Sequence, residues 1–315
     1  MKRLRSFVLS AVWFCACALP SSAQSLPVLR LACFPSDSYG EAYYAQDLGF
    51  FKEHGLAVEF VVNNAGAVAL QALAGGAVDI GVANPVSVAQ AYAKGIPVSI
   101  IAGGGLYTRN SPATLLVVSK NRPLRTPKDL EGKTIALPAL GDQLQAAMML
   151  WLRKNGADPA KVKFVELNPP PAMLGALAQG RVDGATPPEP FSTLAVQNGS
   201  ARVFGDPFGV VAPRFFIGVW IARTDWIKAN PDLARRFAES IYEAGRWANA
   251  HPDESAVILA KYAKGDPAVF RMMHRATYTD SNVDPRLLQP ILDAGTQTGM
   301  LSTTIKAADL IMKGF

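Results

Sequence analysis

Two hydrophobic patterns alternate along the chain. Short, wholly apolar runs read as strands covered on both faces. Longer segments with apolar positions three and four apart read as helices that bury one side. Residues 29–34 form the first such run. The polar turn Pro35-Ser36-Asp37-Ser38 follows, then a helical pattern over 39–48 that stops at Gly49, and a further helical turn closed by Gly55. Strands are predicted at 57–62, 78–82 and 98–102, with helices at 68–74 and from Asn84 to Gly95. Asn84 before Pro85 supplies the N-cap and the first-position proline that helix starts favour. The fourth strand runs into Gly103-Gly104-Gly105, where the backbone can approach another segment closely.

The series then begins again. Ala72, Leu73, Ala74, Gly76, Val78 and Asp79 match Ala176, Leu177, Ala178, Gly180, Val182 and Asp183 at a constant offset of 104, and Ala91 and Gly95 match Ala195 and Gly199. Val58, Phe60 and Val61 match Val162, Phe164 and Val165 at that offset. His54-Gly55 resembles Asn155-Gly156 once a three-residue insertion near Asp158 is allowed, and further back Leu31-Ala32-Cys33-Phe34-Pro35 resembles Thr134-Ile135-Ala136-Leu137-Pro138. Residues 28–95 and 132–199 therefore read as two copies of one unit. In the second copy a helix is predicted at 142–154 and strands at 164–167, 182–186 and 202–204. Residues 215–222 read as one long strand crossing back, and the rest as a helical scaffold: 225–229, 231–250, 254–262, 267–274 and 285–299.

Strands alternating with helices predict an α/β fold with parallel sheets and right-handed crossovers. Two copies make two lobes: 24–115 with 216–315, and 116–215, joined by two crossing segments. Ligands of such sheets sit beyond the carboxyl ends of the strands, so the site is expected in the cleft between lobes. In lobe one that position selects Ser36, Asp37, Ser38 and Tyr39, then Asn63, Asn64, Asn84 and Ser87, then Gly104 and Tyr107. In lobe two it selects Leu140, Gly141, Asp142 and Gln143, then Asn168, Thr186, Glu189 and Phe191, with Arg214 as a cation near the crossing. Several have a plainer role open to them. Asn84, Asp37 and Ser38 suit helix caps, Glu189 suits a helix N-terminus, and Tyr39, Tyr107 and Phe191 suit packing. The repeated Asp79 and Asp183 begin strands at the end away from the cleft and read as structural.

Composition narrows the class. The chain has 315 residues, half of them hydrophobic, enough for a substantial core. The basic start Met1-Lys2-Arg3-Leu4-Arg5, the apolar run 7–19 and the small residues Ser21-Ser22-Ala23 read as a signal peptide over 1–23, cleaved near Ala23/Gln24. The apolar run is too short for a bilayer-spanning helix of about 20 residues. Loss of the leader removes three basic residues, leaving a formal charge of +3, too mild to suggest nucleic acid. Cys33 is then the single cysteine and reads as a small buried strand residue. His54, His251 and His274 have no metal-ligand spacing. No nucleophile elbow, P-loop or dinucleotide fingerprint occurs. No catalytic residue, metal or cofactor is therefore expected.

The segment Leu48-Gly49-Phe50-Phe51-Lys52-Glu53-His54-Gly55-Leu56-Ala57-Val58-Glu59 carries a family resemblance. So do Ala74-Gly75-Gly76-Ala77-Val78-Asp79-Ile80-Gly81, the run from Asp129 to Ala136, and Gly180-Arg181-Val182-Asp183-Gly184-Ala185 with Glu189-Pro190-Phe191. Together they resemble the nitrate/sulfonate/taurine, thiamine-precursor-like family of ABC-transporter substrate-binding proteins. The resemblance implies a type II periplasmic-binding-protein fold of two Rossmann-like lobes on a two-segment hinge. It also implies a periplasmic monomer that delivers a small molecule to an inner-membrane ABC permease. Helix N-termini and Arg214 favour an organic anion, sulfonate-like or an aromatic carboxylate. Glu189 and Asp37 favour a thiamine pyrimidine precursor or another N–H-bearing heterocycle. The same fold could also serve an exported enzyme using Glu189 or Asp142 as acid/base, or a sensor that loads a membrane receptor. N-terminal sequencing of the exported protein is expected to begin near Gln24; an intact leader would refute the cleavage reading.

Overall fold

The computed structural model describes residues 26–62, 66–112 and 114–315. The leader and candidates Asn63 and Asn64 lie outside the described residues. Along the chain, β1 (Val28–Cys33) leads to α1 (Glu41–Leu48), α2 (Phe50–Glu53), β2 (Ala57–Val62), α3 (Gly66–Ala74), β3 (Ile80–Ala83), α4 (Pro85–Ala93), β4 (Val98–Gly103) and β5 (Gly105–Thr108). The second series is β6 (Leu116–Ser119), β7 (Thr134–Leu137), α5 (Gln143–Lys154), β8 (Lys163–Glu166), α6 (Pro170–Ala178), β9 (Gly184–Ala185), α7 (Phe191–Gln197) and β10 (Ala201–Gly205). The return begins with β11 (Arg214–Phe216) and β12 (Val219–Arg223). Then come α8 (Thr224–Ala229), α9 (Pro231–Ala250), α10 (Pro252–Ala263), α11 (Pro267–Met272), β13 (Thr277–Tyr278), α12 (Pro285–Gln297) and α13 (Ala307–Leu310).

Two five-stranded sheets result, ordered β2-β1-β3-β12-β4 and β8-β7-β9-β6-β10. The orders correspond position by position, so the sequence repeat is also a repeat of topology. Register repeats too. Leu31 pairs with Phe60 and Ile80, and Ile135, 104 positions on, pairs with Phe164 and Gly184. These pairings equate Leu31 with Ile135, which corrects the one-residue slip in the alignment of Leu31 with Thr134.

The sheets are mixed, not parallel as expected. In each, one strand runs against its neighbours: β12 is antiparallel to β3 and β4, and β6 to β9 and β10. Both are strands that have just come over from the other lobe, so they enter opposite to the βα series. A second correction concerns residues 215–222, read as one strand. The chain breaks at Ile217-Gly218, because β11 pairs with β5 in a small third sheet, β11-β5-β13, while β12 enters the first five-stranded sheet.

That small sheet is where the lobes are joined. Gly104 N donates to Gly218 O at 3.0 Å, and Ile217 N donates to Gly105 O at 2.9 Å. A Cβ on Gly105 would lie 2.8 Å from Ser38 O, and one on Gly218 would lie 2.6 Å from the Tyr39 ring. The crossing has no room for side chains at these points, the close approach that the glycine run predicted. Trp220 on β12 is fully buried, edge-on to Tyr39 at 6.1 Å and to Phe237 of α9 at 5.5 Å. Helix α9 buries Phe237, Ile241 and Tyr242 and exposes Arg235, Glu239 and Arg246, as its periodicity predicts. Among the described residues no helix is long and apolar enough to cross a membrane.

The repeated aspartates tie each sheet at the end away from the cleft. Asp79 Oδ2 accepts from Arg30 N at 2.9 Å, and Asp183 Oδ2 accepts from Thr134 N at 3.0 Å. Each also pairs with an arginine, Arg30 at 2.8 Å and Arg122 at 3.1 Å. Asp183→Ala strips the acceptor from a strand amide. It is expected to cost about 1–3 kcal/mol, with a similar loss for Asp79→Ala. Denaturant midpoints unchanged by both substitutions would show the anchors to be idle.

Candidate functional site

A cleft of about 900 Å³ lies between the lobes. Its wall is built from the segments that directly follow strand ends. These are Phe34 to Tyr39 after β1, Asn84 after β3, residues 138–144 after β7, 168–170 after β8 and 188–191 after β9. Apolar side chains dominate it, among them Phe34, Tyr39, Leu140, Phe191, Phe208 and Phe270.

Ten of the candidates stand on this wall: Ser36, Ser38, Tyr39, Asn84, Ser87, Gly141, Asp142, Gln143, Glu189 and Phe191. Leu140 and Asn168 join them. Helix starts position the polar ones. Asn84 Oδ1 accepts from Ser87 N at 3.0 Å and Asn84 Nδ2 donates to Ser87 Oγ at 2.9 Å. Asp142 Oδ1 accepts from Leu144 N and Gln145 N at 2.9 and 3.2 Å, capping α5. Glu189 Oε2 accepts from Thr193 N at 3.2 Å in the first turn of α7. Gln143, the first residue of α5, donates from Nε2 to Ile217 O at 2.7 Å. Gln90 of α4 reaches across the cleft, donating from Nε2 to Gly141 O at 2.7 Å.

Four candidates stand elsewhere. Asp37 turns inward, 3% exposed, where it pairs with Arg275 Nε at 2.9 Å and accepts from Tyr278 Oη at 3.0 Å. Arg275 also donates to Ser255 Oγ of α10 and Tyr44 Oη. Asp37 thus anchors the Ser36–Tyr39 turn to the helices behind it. Tyr107 is buried on β5, its hydroxyl donating to Asp206 Oδ2 at 2.6 Å while its ring packs on Phe208 at 5.9 Å. Thr186 lies under the wall, its amide bonded to Ala136 O at 3.0 Å. Arg214 is exposed on β11, the outer strand of the small sheet, and is not a cleft cation. Gly104, named with them, is buried in the crossing.

The C-terminal helices, read as scaffold alone, supply a wall of their own, from the end of α10 into α11: Ala263, Lys264, Gly265, Asp266, Val269 and Phe270. The one hint in the sequence was Lys264-Gly265-Asp266 between two helices, a turn signal indistinguishable from any connector. Lys264 takes up a left-handed φ of 55° to end α10. It is the one lysine or arginine among the described wall residues, whereas Asp142, Glu189 and Asp266 are carboxylates.

Burial pushes the Asp142 carboxyl up from 3.8 to about 6, against the pull of the two amides it accepts from. Between those values the folded protein binds a proton that the unfolded chain releases. Asp142 therefore favours the folded state most below about pH 4 and loses that contribution as pH rises to about 6. Asp142→Asn keeps a capping oxygen and removes the charge. Thermal melts from pH 4 to 8 are expected to show the variant matching wild type at pH 4 and exceeding it by about 1–3 kcal/mol at pH 7. A pH-independent difference would contradict the burial of this carboxyl.

A family model described as "NMT1/THI5 like" matches residues 38–255. The taurine-binding periplasmic protein of Escherichia coli K12 is 31% identical over 211 residues, which cover 66% of this chain and 62% of that relative's length. Two solved structures share the fold. One is the alkanesulfonate-binding protein SsuA from Xanthomonas axonopodis pv. citri bound to MOPS, with TM-score 0.76, 21% identity, and coverage of 92% of this chain and 99% of that one. The other is the periplasmic nitrate-binding protein NrtA from Synechocystis PCC 6803, with TM-score 0.77, 16% identity, and coverage of 90% and 85%. The fold is thus the two-lobed periplasmic-binding-protein fold that the motifs implied.

Proposed function

The chain belongs to the NMT1/THI5-like family, and from that premise we propose that it is the solute-binding protein of an ABC importer. In this reading it is a periplasmic monomer that takes a small organic molecule between its lobes and presents the closed form to an inner-membrane permease. The observation that carries the reading is the interlobe cleft of about 900 Å³, walled by the strand ends of both sheets and by the crossing residue Ile217. A ligand touching both walls stabilises the arrangement that brings them together, and bending at the two crossings supplies the motion. The relatives named for binding taurine, alkanesulfonate and nitrate support the same role.

The lining supports a ligand with an apolar body. Of the two ligand classes, the N–H-bearing molecule has the greater support. The amides of Ser87 in α4, Leu144 and Gln145 in α5 and Thr193 in α7 are already bonded to Asn84, Asp142 and Glu189, and the last two add negative charge where an anion would dock. Lys264 is the observation that favours an organic anion. A binding role is supported over an enzymatic one because both acid/base candidates, Asp142 and Glu189, are engaged at helix starts.

A thermal-shift screen of aromatic amines and amides, aromatic carboxylates and sulfonates is expected to give the largest rise with the first group. A hundredfold excess over Kd corresponds to about 2.7 kcal/mol of stabilisation. Mass spectrometry of gently denatured protein is expected to recover the bound molecule unchanged. No stabilisation by any group, or conversion of the bound molecule, would sink the proposal.

A further inference from the structure

We infer that Gln143 reads a hydrogen-bond donor on the ligand and couples that contact to the interlobe crossing. This rests on the binding reading above and goes beyond it by naming the residue and the polarity of the group it takes.

Gln143 lines the cleft yet is only 7% exposed. Its Nε2 donates to Ile217 O at 2.7 Å. A carbonyl oxygen can only accept, so this bond fixes which end of the amide faces Ile217. The oxygen, Oε1, is then the free end. It is buried and has no partner among the described residues. An enclosed acceptor without a donor is unfavourable. Along α5 the amides of Leu144 and Gln145 are taken by Asp142. A ligand N–H or O–H completes the set.

The other end of the same amide touches the joint of the molecule. Ile217 sits at the break between β11 and β12, and its own N–H is bonded to Gly105 O of the second crossing strand. Gln143 belongs to the second lobe. A donor on Oε1 polarises the amide and strengthens its bond to Ile217 O, since hydrogen bonds in series reinforce one another. Ligand occupancy thereby tightens the tie between the second lobe and the crossing. A carboxylate or sulfonate placed there meets an oxygen and gains nothing, so the same residue selects against anions.

The test uses three scaffolds, phenylacetyl, nicotinoyl and indole-3-acetyl, each as primary amide, N,N-dimethyl amide and carboxylate, titrated calorimetrically into the exported protein. Wild type is expected to bind a primary amide at least tenfold tighter than its dimethyl and carboxylate counterparts. Gln143→Met is expected to lower affinity for that amide tenfold or more while changing the dimethyl amide less than threefold. Gln143→Glu keeps an acceptor and loses the donor to Ile217. It is expected to retain preference for the amide but to lose the ligand-induced fall in radius of gyration that small-angle scattering is expected to show for wild type. This second variant carries the test if the first fails to fold. Equal binding of amide and dimethyl amide by wild type, or an unchanged preference in Gln143→Met, overturns the role of Gln143 and leaves the binding reading standing. Binding of no probe by wild type overturns both.

Discussion

The molecule depends on a crossing that has almost no thickness. Two chain segments pass between the lobes side by side, hydrogen-bonded through Gly104, Gly105, Ile217 and Gly218, directly beneath the turn that carries Ser38 and Tyr39. Side chains at Gly105 or Gly218 would push that turn off its seat. Because they are absent, the floor of the cleft lies on the joint itself, and Tyr39 continues into the core through Trp220 to α9. Whatever touches the floor is one residue away from the segment that sets the lobe angle.

The two sheets are near copies, and the copying is strictest at the end that does no binding. Asp79 and Asp183 hold equivalent strand amides with equivalent oxygens, and the pairing registers agree at a single offset. At the cleft end the copies diverge. One offers Asn84 and Ser87, and the other offers Asp142, Gln143 and Glu189. The result is a pocket with two carboxylates on one wall, apolar rings around them, and a lysine and a third carboxylate, Lys264 and Asp266, contributed by neither copy. Hydrogen bonding within each helix start uses up amides that could have held an anion, so local helix stability and ligand polarity are set by the same atoms.

Most of the element order was legible, because strand-helix alternation and glycine stops are local signals. What failed was non-local. Nothing in residues 215–222 says that the two halves join different sheets; the break at Ile217-Gly218 follows from the pairing of β11 with β5 and of β12 with β3, partners distant in sequence. Mixed sheets were missed because strand direction follows from which lobe the chain has just left. Twelve candidates stand on the cleft wall as one rule expects, that segments after strands face the cleft. The same rule misplaced Asp37 and Tyr107, since a loop position does not say which way a side chain turns. Asp37 turns in because Arg275 waits there. The wall from Ala263 to Phe270 follows a helix, not a strand, and so escaped the rule altogether.

The place of β12 has a consequence for the order in which the molecule can be made. It lies inside the first sheet, between β3 and β4, yet is synthesised after the whole of the second series. Until Arg223 has left the ribosome, β3 and β4 have no strand to pair across, and the first sheet stays open along its middle. The second sheet, complete from Leu116 to Gly205, has no such wait. Long-range closure of this kind is slow. A polypeptide whose central strand comes late stays open along that seam until almost three quarters of it has been made, and pairing of β12 is the step that locks the first sheet.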